Sequence, residues 1–221
     1  MAPRVRISSV VPFAALAASV VLASCASDEP GTRSGKMLTD LQTIRAEIVD
    51  GQRRVDGAIA SLDALNSTTS ANYQVPAAAA DLRKNITSVD SAATSIRTRY
   101  DDMKARQLEY QAKWKEERSL FADASLQKSS EARAAKVQSY FDDISKQAKE
   151  AKDAYDPFIR SLRELDTYLA NDPSAGAVSS AQSTVKNAKK AGEKLKDELD
   201  GLVKQIDKTT TDLGSGGAGR P

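Results

Sequence analysis

The chain has 221 residues, room for one or at most two domains, with 28% charged and only 5% aromatic residues. No histidine is present, which removes the commonest general base and metal ligand; the single cysteine excludes an intramolecular disulfide and a thiolate zinc cluster. The formal charge of +2 is supplied by Arg4 and Arg6, so the rest of the chain is balanced and offers no nucleic-acid footprint.

Residues 1–24 read as an address. Arg4 and Arg6 precede a largely apolar run from Ile7 to Leu22, too short and interrupted for a comfortable membrane span. The run ends in Leu22, Ala23, Ser24 and Cys25, which resembles the bacterial lipobox, in which the cysteine is acylated and becomes the first residue after cleavage. An ordinary secretory signal cut at Ala23 is the alternative, but the only cysteine of the chain stands on the required position. The expected partner of this end is therefore a lipid bilayer, reached through acylated Cys25. Ala26 follows the cysteine in place of Asp, and by resemblance to enterobacterial sorting this leans towards the outer membrane. Residues 25–36 are small and polar with Pro30, Gly31 and Gly35, and read as a flexible tether.

Residues 37–213 read as helices. Apolar residues recur at alternating steps of four and three, the signature of a narrow seam on a long α-helix. The first segment, Met37 to about Asn66, carries Leu41, Ile44, Ile48, Gly51, Val55, Ala58, Leu62 and Leu65. The stretch 66–75 breaks the period, and Pro76 suits the first turn of the next helix. The second segment, about Ala77 to Ala122, carries Leu82, Ile86, Val89, Ala93, Ile96, Tyr100, Met103, Gln107, Tyr110 and Trp114, and seven residues on lies Phe121. A break is expected near Asp123–Ser125, because Asp and Ser are good N-caps; one much longer helix is the competing reading, since Ser119 to Ser130 holds no Gly or Pro. A third seam runs from Leu126 to Leu169, with Pro157 expected to kink it. Asn171 to Gly176 is a loop, and a last helix spans Ala177 to about Leu213. Residues 214–221 form a Gly-rich tail. The two middle helices, each about 45 residues or ~68 Å, set the length. The predicted fold is all-α: an elongated antiparallel coiled coil or four-helix bundle with long middle helices.

The residues Trp114, Glu117, Phe121, Asp123, Ala124-Ser125-Leu126, Lys128, Ser129, Ser130 and Glu131, with Asp156-Pro157, Ile159, Arg163 and Leu169 beyond, carry a further likeness. Their spacing resembles a bacterial family of predicted coiled-coil envelope lipoproteins, the domain of unknown function numbered 2959. Asn171-Asp172-Pro173 departs from the His-Asn-Leu-Asn-like end that the family has there. The resemblance implies the helical architecture and transfers no site, since the family has no established activity.

No phosphate loop, metal motif or nucleophile elbow is present in the sequence. The adjacent pairs Asp101-Asp102, Glu116-Glu117 and Asp142-Asp143 point about 100° apart on a helix and are solvated faces, not an acid and base. Ser129-Ser130 has no histidine to activate it. Gln107 on the seam reads as a register-setting polar residue or a water-filled spot. Seam packing is the plainer reading of Tyr110, Trp114 and Phe121; the sharper one makes Trp114, Leu120, Phe121 and Leu126 the candidate partner or membrane contacts near a helical hairpin tip. The expectation is a non-enzymatic envelope protein without cofactor or metal, a scaffold or spacer that meets protein partners or copies of itself through its helices. A membrane-surface remodeller of helical-hairpin type is the alternative, and would want a continuous basic stripe. Basic and acidic residues interleave except at Lys186, Lys189, Lys190, Lys194 and Lys196.

Overall fold

The computed structural model describes residues 30–70 and 72–216, which are helical almost throughout with no strand among them. Four long helices, α1 (Pro30–Asn66), α2 (Val75–Arg118), α3 (Ala124–Asn171) and α5 (Gln182–Gly216), run alternately up and down, and one short helix, α4 (Ala175–Ser180), precedes the last. Each long helix packs on two neighbours around the ring α1–α2–α3–α5, so the fold is an antiparallel four-helix bundle. Contact is closest within the pairs α1/α2 and α3/α5, and loosest between α2 and α3.

The seams are what the ring buries. Every seam residue of α1 from Met37 to Leu65 is buried, and on α5 the series Val185, Ala188, Gly192, Leu195, Leu199, Leu202 and Ile206 is buried as well. Fully enclosed aliphatic side chains such as Leu41, Leu62, Leu162 and Leu165 each contribute roughly 1.5–3 kcal/mol by leaving water. Ion pairs fix the register on the outside of the ring. Asp40 pairs with Arg106 (3.0 Å), Arg45 with Asp207 (2.5 Å), Asp56 with Lys196 (2.6 Å), and Asp63 with Lys189. Exposed pairs of this kind are worth ~0–1 kcal/mol apiece, so they align helices that apolar burial already holds together. Gln107, buried on the α2 seam, donates to Gln138 Oε1 at 2.8 Å, and Gln138 donates to Asp142 at 2.8 Å. A one-turn slip between α2 and α3 would strand that amide in the core.

The helix ends differ from the sequence reading in several places, α2 beginning at Val75 and α4 at Ala175 among them. α1 starts at Pro30, so part of the stretch expected as a tether is helical. Proline suits a first turn, and the helix needs no apolar seam there because its backbone bonds run on ahead of Met37. α2 stops at Arg118, short of Ala122, because the N–H groups of Ser119, Leu120 and Phe121 turn to the carbonyls three residues back. The expected last helix is divided at Ala181, whose N–H is shared between the carbonyls of Ala177 and Val178. α5 then continues to Gly216, past Leu213. α3 runs unbroken through Pro157, which is exposed, so the Asp153 carbonyl that loses its donor faces solvent.

Thr209 is wholly buried on α5 and its hydroxyl has no hydrogen-bond partner. Thr209→Val keeps the shape and removes the unpaired group, so it is expected to stabilise the fold by ~1 kcal/mol. A higher urea midpoint with an unchanged m-value would show this, and a lower midpoint would show that the hydroxyl has a partner in solution.

Candidate functional site

Two places in the bundle depart from plain packing. The first is the α2–α3 hairpin tip. Asp123 caps α3 by accepting from the N–H groups of Ser125 (2.7 Å) and Leu126 (3.3 Å) and from the Ser125 hydroxyl (2.6 Å). These bonds, the Ser125 hydroxyl first, hold the Asp123 carboxyl below the usual carboxylate range. The cap is therefore complete above the unfolded value of ~4 and is lost as the pH falls through the lower folded value. Gln127 donates to the Phe121 carbonyl at 2.6 Å and closes the turn.

That turn holds Leu120, Phe121 and Leu126 outward, 80%, 40% and 55% exposed. Trp114 does not join them. It is half-buried between α2 and α3, edge-on to Tyr110 with ring centres 5.1 Å apart, and its indole N–H donates to Ser130 at 2.7 Å. Three of the four candidate contacts thus form one apolar tip, and the fourth buttresses it from inside. Starting at the Asp40–Arg106 pair, α1 reaches back ~15 Å to Pro30 and α2 runs on ~18 Å to Arg118, at ~1.5 Å per residue. The beginning of α1 and the apolar tip lie at the same end of the bundle, almost level. Leu22, Ala23, Ser24 and Cys25 lie outside the described residues.

The second place is a cleft of about 400 Å³ that is open to solvent between α2 and α3 and reaches in to the buried side chains of the ring. Ile44, Ile48, Val55, Ile144, Leu195 and Leu199 are among its walls, from α1, α3 and α5. It opens between α2 and α3, where exposed Arg97, Asp101, Lys149 and Lys152 form a rim. Two bridges from α2 to α3 bracket the opening. Tyr100 donates to Ser145 at 2.8 Å, and Tyr155 donates to Asp90 at 2.5 Å.

The seam pattern missed this cleft. Ala93, Ile96, Tyr100, Ala148 and Tyr155 sit at regular seam positions yet are only half-buried, and all five line it. Period identifies the inward face of a helix and says nothing of how far away the next helix stands. The available signal was a set of small residues, Gly51, Ala92, Ala93, Ala148 and Ala151, that falls at one level once the register is known.

Other sequence features resolve into surface. Lys189 and Lys196 of the basic run are paired with Asp63 and Asp56 of α1, so the run is no free cationic stripe. Among the described residues, no His/Cys/Asp/Glu cluster suits a metal ion and no helix is long and apolar enough to cross a membrane.

Comparison with curated proteins and with solved structures finds no match to this chain. The family described as "Protein of unknown function (DUF2959)" matches residues 32–213, from the first turn of α1 almost to the end of α5. That span takes in all five helices, and the chain belongs to the DUF2959 family.

Proposed function

We propose that the protein is a non-catalytic, lipid-anchored scaffold or spacer of the bacterial envelope, its long charged faces presented to protein partners or to further copies of itself. The observation that carries this reading is the shared end of the bundle. Cys25 stands five residues before Pro30, a gap that spans at most ~18 Å. An acyl anchor at Cys25 brings the Leu120, Phe121 and Leu126 tip to the bilayer surface and stands the bundle upright, a second apolar contact beside the lipid chains. The outer membrane is the favoured address, on Ala26 after the cysteine.

The test is fractionation of bacteria producing the full chain and its Cys25→Ser variant, with radiolabelled palmitate in the medium. The wild-type chain should incorporate label and sediment with membranes, and Cys25→Ser should lose the label and most of its membrane retention. Membrane retention unchanged in Cys25→Ser would overturn the anchor. The exposed tip also favours a second reading, a protein that binds or remodels membrane surfaces. Brominated phospholipid vesicles should then quench Trp114 and deform, and Leu120→Asp/Phe121→Asp should abolish both effects.

A further inference from the structure

We propose that the cleft between α2 and α3 binds the chain of a long-chain fatty acid, with the carboxylate held at Arg97. The size fits one such chain. A sealed cavity of ~150 Å³ accepts benzene, so the 400 Å³ of this cleft, part of it open to solvent, has room for one chain and not for several. The walls are mostly aliphatic, and the hydroxyls of Tyr100 and Tyr155 that also line them are already bonded to Ser145 and Asp90.

The opening is shaped for a chain. Asp90 and Tyr100, which anchor the two α2–α3 bridges, are ten residues apart on α2, so the slot between them is ~15 Å long. Ala93 on α2 and Ala148 on α3 lie within that stretch and keep the slot clear of bulk. A protein helix, ~10 Å across with its side chains, does not pass between two helices bridged in this way, whereas an extended methylene chain does.

The rim chooses the head group. Lys149 and Lys152 are held by Asp153 (2.6 Å) and Asp156 (3.2 Å) on their own helix. Arg97 pairs with no carboxylate among the described residues, and its guanidinium suits a bidentate carboxylate. Asp101, one turn along α2, is the carboxylate of the rim and disfavours a head group carrying more than one negative charge. A monoanion on a single saturated chain meets all of these conditions. Nothing in this assignment depends on acylation at Cys25.

The experiment is calorimetric titration of the full chain carrying Cys25→Ser with palmitate and, separately, with hexadecanol, which has the chain without the charge. Palmitate should bind saturably, one per chain. Ala93→Leu/Ala148→Leu fills the slot and should weaken palmitate at least about tenfold without lowering the melting temperature. Should the pair lower it, Ala148→Leu alone takes its place. Arg97→Gln should weaken palmitate about tenfold and leave hexadecanol unchanged. The apolar segment at residues 7–22 is common to every variant, so only binding in the cleft responds to these changes. Absence of saturable palmitate binding, or equal binding by the filled variants, would overturn the proposal, as would an equal loss of both ligands in Arg97→Gln.

Discussion

Phe158→Ala is expected to lower the stability of the bundle by ~3–5 kcal/mol. Phe158 of α3 is fully buried, and its ring fills a socket made by the missing side chain of Gly192 on α5. A Cβ at Gly192 would stand 2.8 Å from Phe158 Cε2 and 3.0 Å from both Ile59 Cδ1 and Cγ1. Three helices therefore meet at one point, and none can retreat without opening a seam. Gly192→Ala gains ~1 kcal/mol in helix propensity, against an overpacking cost of ~1–3 kcal/mol, so its net effect is destabilising. Much of that clash disappears in a Phe158→Ala background. The two changes should be clearly non-additive in a double-mutant cycle read by urea unfolding. Strict additivity, or a Phe158→Ala loss below ~1 kcal/mol, would show that the ring is not held in this socket.

Asp90→Ala should cost ~1.5–3 kcal/mol, the range for hydrogen bonds to a charged group. The Asp90 carboxylate accepts from the Tyr155 hydroxyl at 2.5 Å and from Arg163 Nη2 at 2.7 Å, tying α2 to α3 where their packing is loosest. Burial first, then the hydrogen bond to Asp90 and its charge, pushes the Tyr155 hydroxyl well above the ordinary tyrosine range. Because the folded value is raised, the group's contribution is complete below the unfolded value of ~10 and is lost as the pH rises through the folded one. This tyrosine should therefore give stability no pH dependence near neutrality and make it fall in alkali. Tyr155→Phe should remove that part of the alkaline decline. Tyrosinate absorbance provides the check: one tyrosine of the native protein should ionise late, and it should return towards the ordinary range in Asp90→Ala.

Much of the architecture was legible because apolar burial along a helix leaves a periodic trace. The steps from Met37 to Leu65 and from Val185 to Ile206 name the residues that the ring encloses, and Asp123, a good N-cap, marks the turn between the middle helices. Gln107, polar on an otherwise apolar seam, was open to two readings, a register pin or a wet spot, and it meets Gln138 there. The ends of helices were harder to read. Pro30 starts α1 with no seam to signal it, and the division at Ala181 rests on a shared backbone bond that no side chain encodes. At the tip, Phe121 continues the count of sevens from Trp114 but has left the helix and faces outward. The cleft was least legible of all. Ile96, Tyr100 and Tyr155 occupy faultless seam positions, and only the spacing of α2 from α3 leaves them half-covered.

The closing of the ring has a kinetic consequence. Three of its four interfaces join helices consecutive in the chain, across short connections, so they form from nearby residues and place little demand on the unfolded chain. The α1–α5 interface alone brings together distant segments, as in the pair Arg45 and Asp207. The two closest pairs, α1/α2 and α3/α5, are therefore expected to form first and to dock on each other last, along the Asp90–Tyr155–Arg163 line on one side and the α1–α5 seam on the other. Amide hydrogens facing that line should exchange through a partly opened state, ahead of those inside either hairpin.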